Sequence, residues 1–169
     1  MSLQDYTKRM KRLIRRFKSF LYWYTKFSSE LLKEDLSLLS KMRLAYYLPF
    51  WLYDPTFFTK KKIFIKVNGI YYRIVDLESL NILSPSFEPW MYKYFKPKEG
   101  DVVIEVGAHI GKYAFYAAKL VGKRGRVIAL EPSPDTYEAL TDGIKKNGFT
   151  NVIALNYAAW RENATLTLY

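Results

Sequence analysis

The residues whose types and spacing could do chemistry sit in one short stretch of the carboxyl-terminal half. Gly107 and Gly111 bracket Ala108, His109 and Ile110 directly after the apolar run Val102-Val-Ile-Glu-Val106, and Lys112 to Val121 follows at helical spacing. A strand running into a glycine loop that opens onto a helix is where a parallel α/β sheet lets backbone approach a ligand closely. Glu131 stands twenty positions after Gly111, at the end of a second apolar run, Arg126-Val-Ile-Ala-Leu130. A carboxylate at that place can accept both hydroxyls of a ribose. The three features in register point to a nucleoside ligand. The plainer alternative is that the glycines serve only a tight turn and Glu131 only caps the helix after it.

A dinucleotide site uses G-x-G-x-x-G, whose middle glycine lets a pyrophosphate rest on backbone. His109 occupies that place here. An imidazole would obstruct a diphosphate, whereas a ligand with a short amino-acid tail could use it as a polar contact. Glu105, two residues before Gly107, adds a carboxylate suited to an ammonium group. S-Adenosylmethionine has that group and a nicotinamide cofactor lacks it, so the loop favours S-adenosylmethionine. A nicotinamide-dependent oxidoreductase remains the alternative enzyme. On this reading His109 contacts a cofactor and is not a general base; a lone histidine at a helix start can also simply cap the turn or face solvent. No catalytic residue is identified.

The elements that must position this loop follow from the pattern around it. Strand-like runs at 102–106, 126–130 and 151–155 alternate with helical stretches at 112–121 and about 135–147, the latter closed by Gly148. Such alternation predicts βαβ units, a parallel sheet and right-handed crossovers, a Rossmann-like α/β fold. Thr165-Leu-Thr-Leu168 reads as one more short strand. Upstream, Ile63 to Val67 and Ile70 to Val75 flank Asn68-Gly69, the pair that a tight primed turn needs for positive φ at both central positions. A helix is expected over Ser86 to Phe95, ended by Pro97 and Gly100.

Composition narrows the chemistry. The 169 residues are 50% hydrophobic with no cysteine and one histidine, which removes disulfides, thiolate metal sites and cysteine nucleophiles. A His-rich metal site or a Ser-His-Asp triad is equally hard to build, so no metal is expected. The absence of cysteine fits a cytoplasmic location, and no secretory signal is visible.

The formal charge of +11 is concentrated: residues 1–62 carry a net +9 and residues 63–169 a net +2. The chain therefore divides into a basic helical segment, 1–62, and a hairpin with a Rossmann-like portion, 63–169. On a helix over residues 8–24 at ~100° per residue, Met10, Leu13, Ile14, Phe17, Phe20, Leu21 and Tyr24 share an arc of roughly 120°, with seven basic residues on the remainder. Three readings compete for this helix. Its stripe packs on the fold, or residues 8–28 lie on an anionic membrane surface at the inner face, or its charge contacts nucleic acid, the least favoured of the three. A second amphipathic helix is expected over Ser29 to Tyr47 with a stop near Pro49. The aromatic stretch Leu44 to Phe58 is too short and too proline-broken to span a bilayer, and reads as a buried connector. Lys60 to Lys62 read as a solvated boundary.

Glu105 to Gly111, Glu131-Pro132-Ser133-Pro134, Asn147 and the run Asn151 to Ala158 resemble the FkbM-type methyltransferases within the class I S-adenosylmethionine-dependent fold. The resemblance covers about residues 84–169, and Glu88 sits where that family places a glutamate. It implies that Glu105, Gly107, His109 and Gly111 hold the methionine part of the cofactor, that Glu131 holds the ribose, and that Ser133 and Ala158 lie near the nucleoside. Ala108 and Pro132 complete the implied cofactor-binding set. The family usually has aspartate where Glu105 stands and asparagine where His109 stands. It implies O-methylation of a hydroxyl on a sugar, lipid or natural product. It also implies a longer sheet whose first strand is central. This chain would then be the amino-terminal portion of such a methyltransferase, inactive alone or completed by a partner chain, since its first strand otherwise exposes an unpaired apolar edge. A non-catalytic module acting through the basic helix is the remaining alternative.

Overall fold

A computed structural model describes residues 3–31, 36–51, 57–84, 89–162, 164–165 and 167. Asn68 and Gly69 take positive φ values of 49° and 78°, and the turn they form pairs β1 (Ile63–Val67) with β2 (Ile70–Ile74) antiparallel, Val67 opposite Ile70. Beyond it the chain builds β3 (Val102–Val106), α6 (Lys112–Val121), β4 (Arg126–Leu130), α7 (Pro134–Asn147) and β5 (Val152–Leu155). The three strands lie parallel in the order β3-β4-β5. This is the α/β arrangement that the alternation predicts, because short parallel strands need a helical crossover to return to the same edge. Asn151 joins the layers: its Nδ2 donates to the Ala118 and Gly122 carbonyls, closing the last turn of α6.

The hairpin packs on α7. Arg73, buried on β2, reaches Asp142 at 2.8 Å and Glu138 at 3.0 Å. Asn147 accepts from the Tyr71 N–H at 2.8 Å and returns a bond to the Tyr71 carbonyl at 2.7 Å, as another strand would. Tyr72 and Phe115 sit in the shared core with Ile65, Ile74 and Leu140. Lys62 pairs with Glu138 and Asp142, so the lysine run is more than a solvated boundary.

The amino-terminal part departs from expectation. One helix, α1 (Leu3–Leu31), runs through the start expected for the second, which is α2 (Leu38–Trp51). Pro49 lies inside the last turn of α2, which ends two residues beyond it. Ser40 and Leu44 bury the inner side of α2; Ser40 Oγ accepts from the Lys66 N–H of β1, and Arg43 Nη1 donates to the Phe64 carbonyl. Residues 52–56 of the expected connector fall outside the described residues, while Phe57 and Phe58 lie in or against the core.

Of two short helices, α3 (Phe57–Lys60) falls within the segment read as helical, and α4 (Leu77–Leu83) has no counterpart in the sequence pattern. The second starts where Asp76 Oδ1 accepts from the Ser79 N–H at 2.7 Å, a local cap. The helix expected over 86–95 is α5 (Pro89–Tyr94). Of the expected fourth strand, Leu166 and Leu168 lie outside the described residues, and Thr165 and Thr167 are not in a strand.

Candidate functional site

The loop between β3 and α6 carries three left-handed positions, Gly107 (φ +79°), His109 (φ +49°) and Gly111 (φ +89°). Gly111 needs its missing side chain twice, because a Cβ there would also stand 2.7 Å from Phe115 and Leu140. Space beside Gly107 is open, with no atom within 4 Å of where a Cβ would be. His109 is the exception to the glycine rule; histidine is among the residues that tolerate this region, at about 1–2 kcal/mol.

Hydrogen bonds explain why the loop takes this shape. The N–H groups of Gly107 and Ala108 both donate to the Leu130 carbonyl at 2.9 Å, and the Gly111 N–H to the Ala108 carbonyl at 2.8 Å. The His109 N–H donates to Glu131 at 2.8 Å, and the other oxygen of that carboxylate accepts from the Ser133 N–H at 2.9 Å. Three of these four loop N–H groups are therefore committed to β4 and its turn and the fourth to the loop itself, so they do not form a cradle for a diphosphate. Glu131 is buried and clamps the two strand-end loops together, while each of its oxygens keeps a further lone pair for a hydroxyl donor.

Asn156 has no mark in the sequence beyond its place in the 151–158 run. It ties the end of β5 to the same centre, donating to the Glu131 and Pro132 carbonyls at 2.8 and 3.1 Å. Its signal was position alone, the first polar residue after the third strand.

Two buried polar atoms of the loop region have no hydrogen-bond partner among the described residues: Glu105 Oε2 and His109 Nδ1. Burial pushes the Glu105 carboxyl up to about 8, the Ala114 backbone N–H partly offsets this, and the Glu131 charge adds to it. Burial holds His109 below its ordinary value against the pull of Asp76, Glu131 and Glu78. The imidazole is accordingly neutral at pH 7. A buried carboxyl beside open backbone and a neutral imidazole suits a zwitterionic amino-acid tail: ionised Glu105 would meet its ammonium and His109 would offer a hydrogen bond.

Of the implied cofactor residues, Glu105, Gly107, Ala108, His109, Gly111, Glu131, Pro132 and Ser133 converge on the carboxyl ends of β3 and β4. Ser133 starts α7, its Oγ accepting from Thr136. Ala158 lies exposed in the coil after β5, and no hydrogen bond among the described residues links it to the loop. Glu88 lies outside the described residues. Asn147 serves the hairpin junction instead of the site. Among the described residues no group of three or more His, Cys, Asp or Glu could hold a metal ion.

Comparison with known proteins matches residues 69–162 to the family described as protein-L-isoaspartate(D-aspartate) O-methyltransferase. The chain is 46% identical over 55 residues to a protein-L-isoaspartate O-methyltransferase of Methanococcus aeolicus, covering 32% of this chain and 26% of that protein. It is 37% identical over 71 residues to protein-L-isoaspartate O-methyltransferase 2 of Archaeoglobus fulgidus, covering 42% and 32%. A solved S-adenosylmethionine-dependent methyltransferase from Aquifex aeolicus is 32% identical over 41% of this chain and 37% of its own, with a TM-score of 0.38. The chain thus spans about a quarter to a third of the length of these curated relatives. The matched family is not the FkbM type that the loop and Glu-Pro segment resemble, because those motifs belong to the class I cofactor site in general and do not separate its families.

Proposed function

The chain belongs to the protein-L-isoaspartate(D-aspartate) O-methyltransferase family, S-adenosylmethionine-dependent enzymes of class I, and from that premise we propose that it binds S-adenosylmethionine and takes part in methylating a carboxylate of an isoaspartyl or D-aspartyl residue. When bound, that cofactor supplies an electrophilic methyl group on a positively charged sulfur. The carrying observation is Glu105, whose buried Oε2 has no partner among the described residues, on the strand that runs into the open space at Gly107. Glu105 would receive the ammonium, His109 would contact the amino-acid tail, and Glu131 would accept the ribose hydroxyls while holding both loops. Ser133 and Asn156 keep Glu131 in place. A dinucleotide is disfavoured by the commitment of the loop N–H groups and by His109.

The family's name replaces a hydroxyl on a sugar, lipid or natural product with a carboxylate as the acceptor to test first. A carboxylate is already ionised at neutral pH, so methyl transfer to it needs positioning in line with the methyl–sulfur bond and no general base. Calorimetry with S-adenosylhomocysteine against NAD tests the cofactor reading. S-Adenosylhomocysteine should bind and NAD should not, and Glu131→Ala should weaken binding by about 10- to 100-fold, the loss of charge-assisted hydrogen bonds. Preference for NAD, or a Glu131→Ala variant indistinguishable from the parent, counts against it. Transfer of labelled methyl to an isoaspartyl peptide, with the matching L-aspartyl peptide as control, tests the acceptor separately. Equal labelling of both would remove the isoaspartyl assignment while leaving cofactor binding intact.

A further inference from the structure

Two helices at the amino end present apolar side chains that the fold leaves in solvent. On α1, Met10, Leu13, Ile14, Phe17 and Leu21 are 43–53% exposed, although they form a single stripe. On α2, Leu39, Met42, Tyr46 and Phe50 are likewise exposed and share one side, while Ser40 and Leu44 turn the opposite side onto β1. Soluble proteins rarely leave contiguous apolar surface of this kind without a use for it.

The charges around the α1 stripe say what it would meet. At roughly 100° per residue, Lys11 and Lys18 border the stripe on one edge and Arg9 and Arg16 on the other, with Lys8, Arg12 and Arg15 across the back. Long basic side chains on both edges of an apolar stripe can extend to lipid headgroups while the stripe enters the acyl boundary. A nucleic acid would use the basic back and has no use for the stripe. Nor does the segment span a membrane, since no described helix is long and apolar enough to cross one. We propose that the apolar stripe of α1 is a docking surface for an anionic lipid bilayer, with α1 lying in the headgroup plane. The assignment is independent of the methyltransferase site.

Co-sedimentation of the full chain with vesicles of phosphatidylcholine, alone or mixed with phosphatidylglycerol, tests it. Binding to the mixed vesicles at low salt is expected, with little to the neutral ones. Each cation removed in an Arg9→Gln/Lys18→Gln variant, one on each edge of the stripe, should lower partitioning about fivefold. Ile14→Ser/Phe17→Ser should lower it roughly tenfold or more, with unchanged circular dichroism and thermal midpoint. Equal binding to neutral and anionic vesicles would overturn the proposal, as would a stripe variant that binds like the parent. A stripe variant that lowers the thermal midpoint would show that the stripe packs on the fold, and binding of single-stranded RNA without binding of vesicles would show a nucleic-acid surface; either result overturns it.

Discussion

Glu105 has a carboxyl held near 8 by burial, yet its proposed partner is an ammonium that only the ionised form can hold. The two facts are linked through protons. Below pH 8 the free site carries the proton, so binding must release it, and affinity for S-adenosylhomocysteine should fall by up to about tenfold for each pH unit below 8. Above pH 8 the carboxylate is already charged and this dependence levels off. Calorimetry in buffers of different ionisation enthalpy reads the released proton directly. Glu105→Gln should bind more weakly and lose the slope; a variant that keeps the parent's pH profile would mean that another group receives the ammonium. The same raised carboxyl costs the free fold stability. Its pKa lies above the unfolded value of 4.5, so the folded state holds the proton more tightly, and stability from this group is lost as pH rises from about 4.5 through 8.

Elements were legible where the signal was local. Asn68-Gly69 named its own turn, and Gly107 and Gly111 marked a loop that does need positive φ at both places. The hairpin's attachment to α7 was not legible, because Arg73 meets Asp142 across 69 positions and nothing in either neighbourhood announces the other. Likewise Asn147 is among the residues that carry the family resemblance, but its partner is the Tyr71 backbone 76 positions away. That junction carries two predictions. Arg73→Met leaves Glu138 and Asp142 without their buried partner, and Lys62 compensates only at the exposed end, so chemical denaturation should show a loss of about 3 kcal/mol. Gly143→Ala tests packing against helix propensity. Alanine gains up to about 1 kcal/mol in a helix interior. Its Cβ, however, would stand 2.8 Å from the fully buried Phe115 ring, and overpacking costs about 1–3 kcal/mol. The clash should win, with a net loss near 1 kcal/mol and a lowered thermal midpoint.

At the scale of the molecule, two apolar surfaces lie open, and charge makes them respond to salt in opposite ways. Both crossover helices follow right-handed connections in one direction across β3-β4-β5, which puts α6 and α7 on the same side of the sheet. The alternation on β3 shows the consequence: Val102, Ile104 and Val106 are 62–66% exposed, whereas Val103 and Glu105 are half-buried. That open side favours association between copies, which a formal charge of +11 per chain opposes. Added salt screens the repulsion over a Debye length of about 8 Å at physiological strength and leaves the apolar attraction in place. Self-association should therefore rise with salt, read by sedimentation velocity, and Ile104→Lys should suppress it. Vesicle binding through α1 depends on attraction between opposite charges and should fall over the same range, with Ile104→Lys leaving it unchanged. If Ile104→Lys instead abolished vesicle binding and left association intact, the open sheet face would be the lipid-binding surface and the helices the contact between copies.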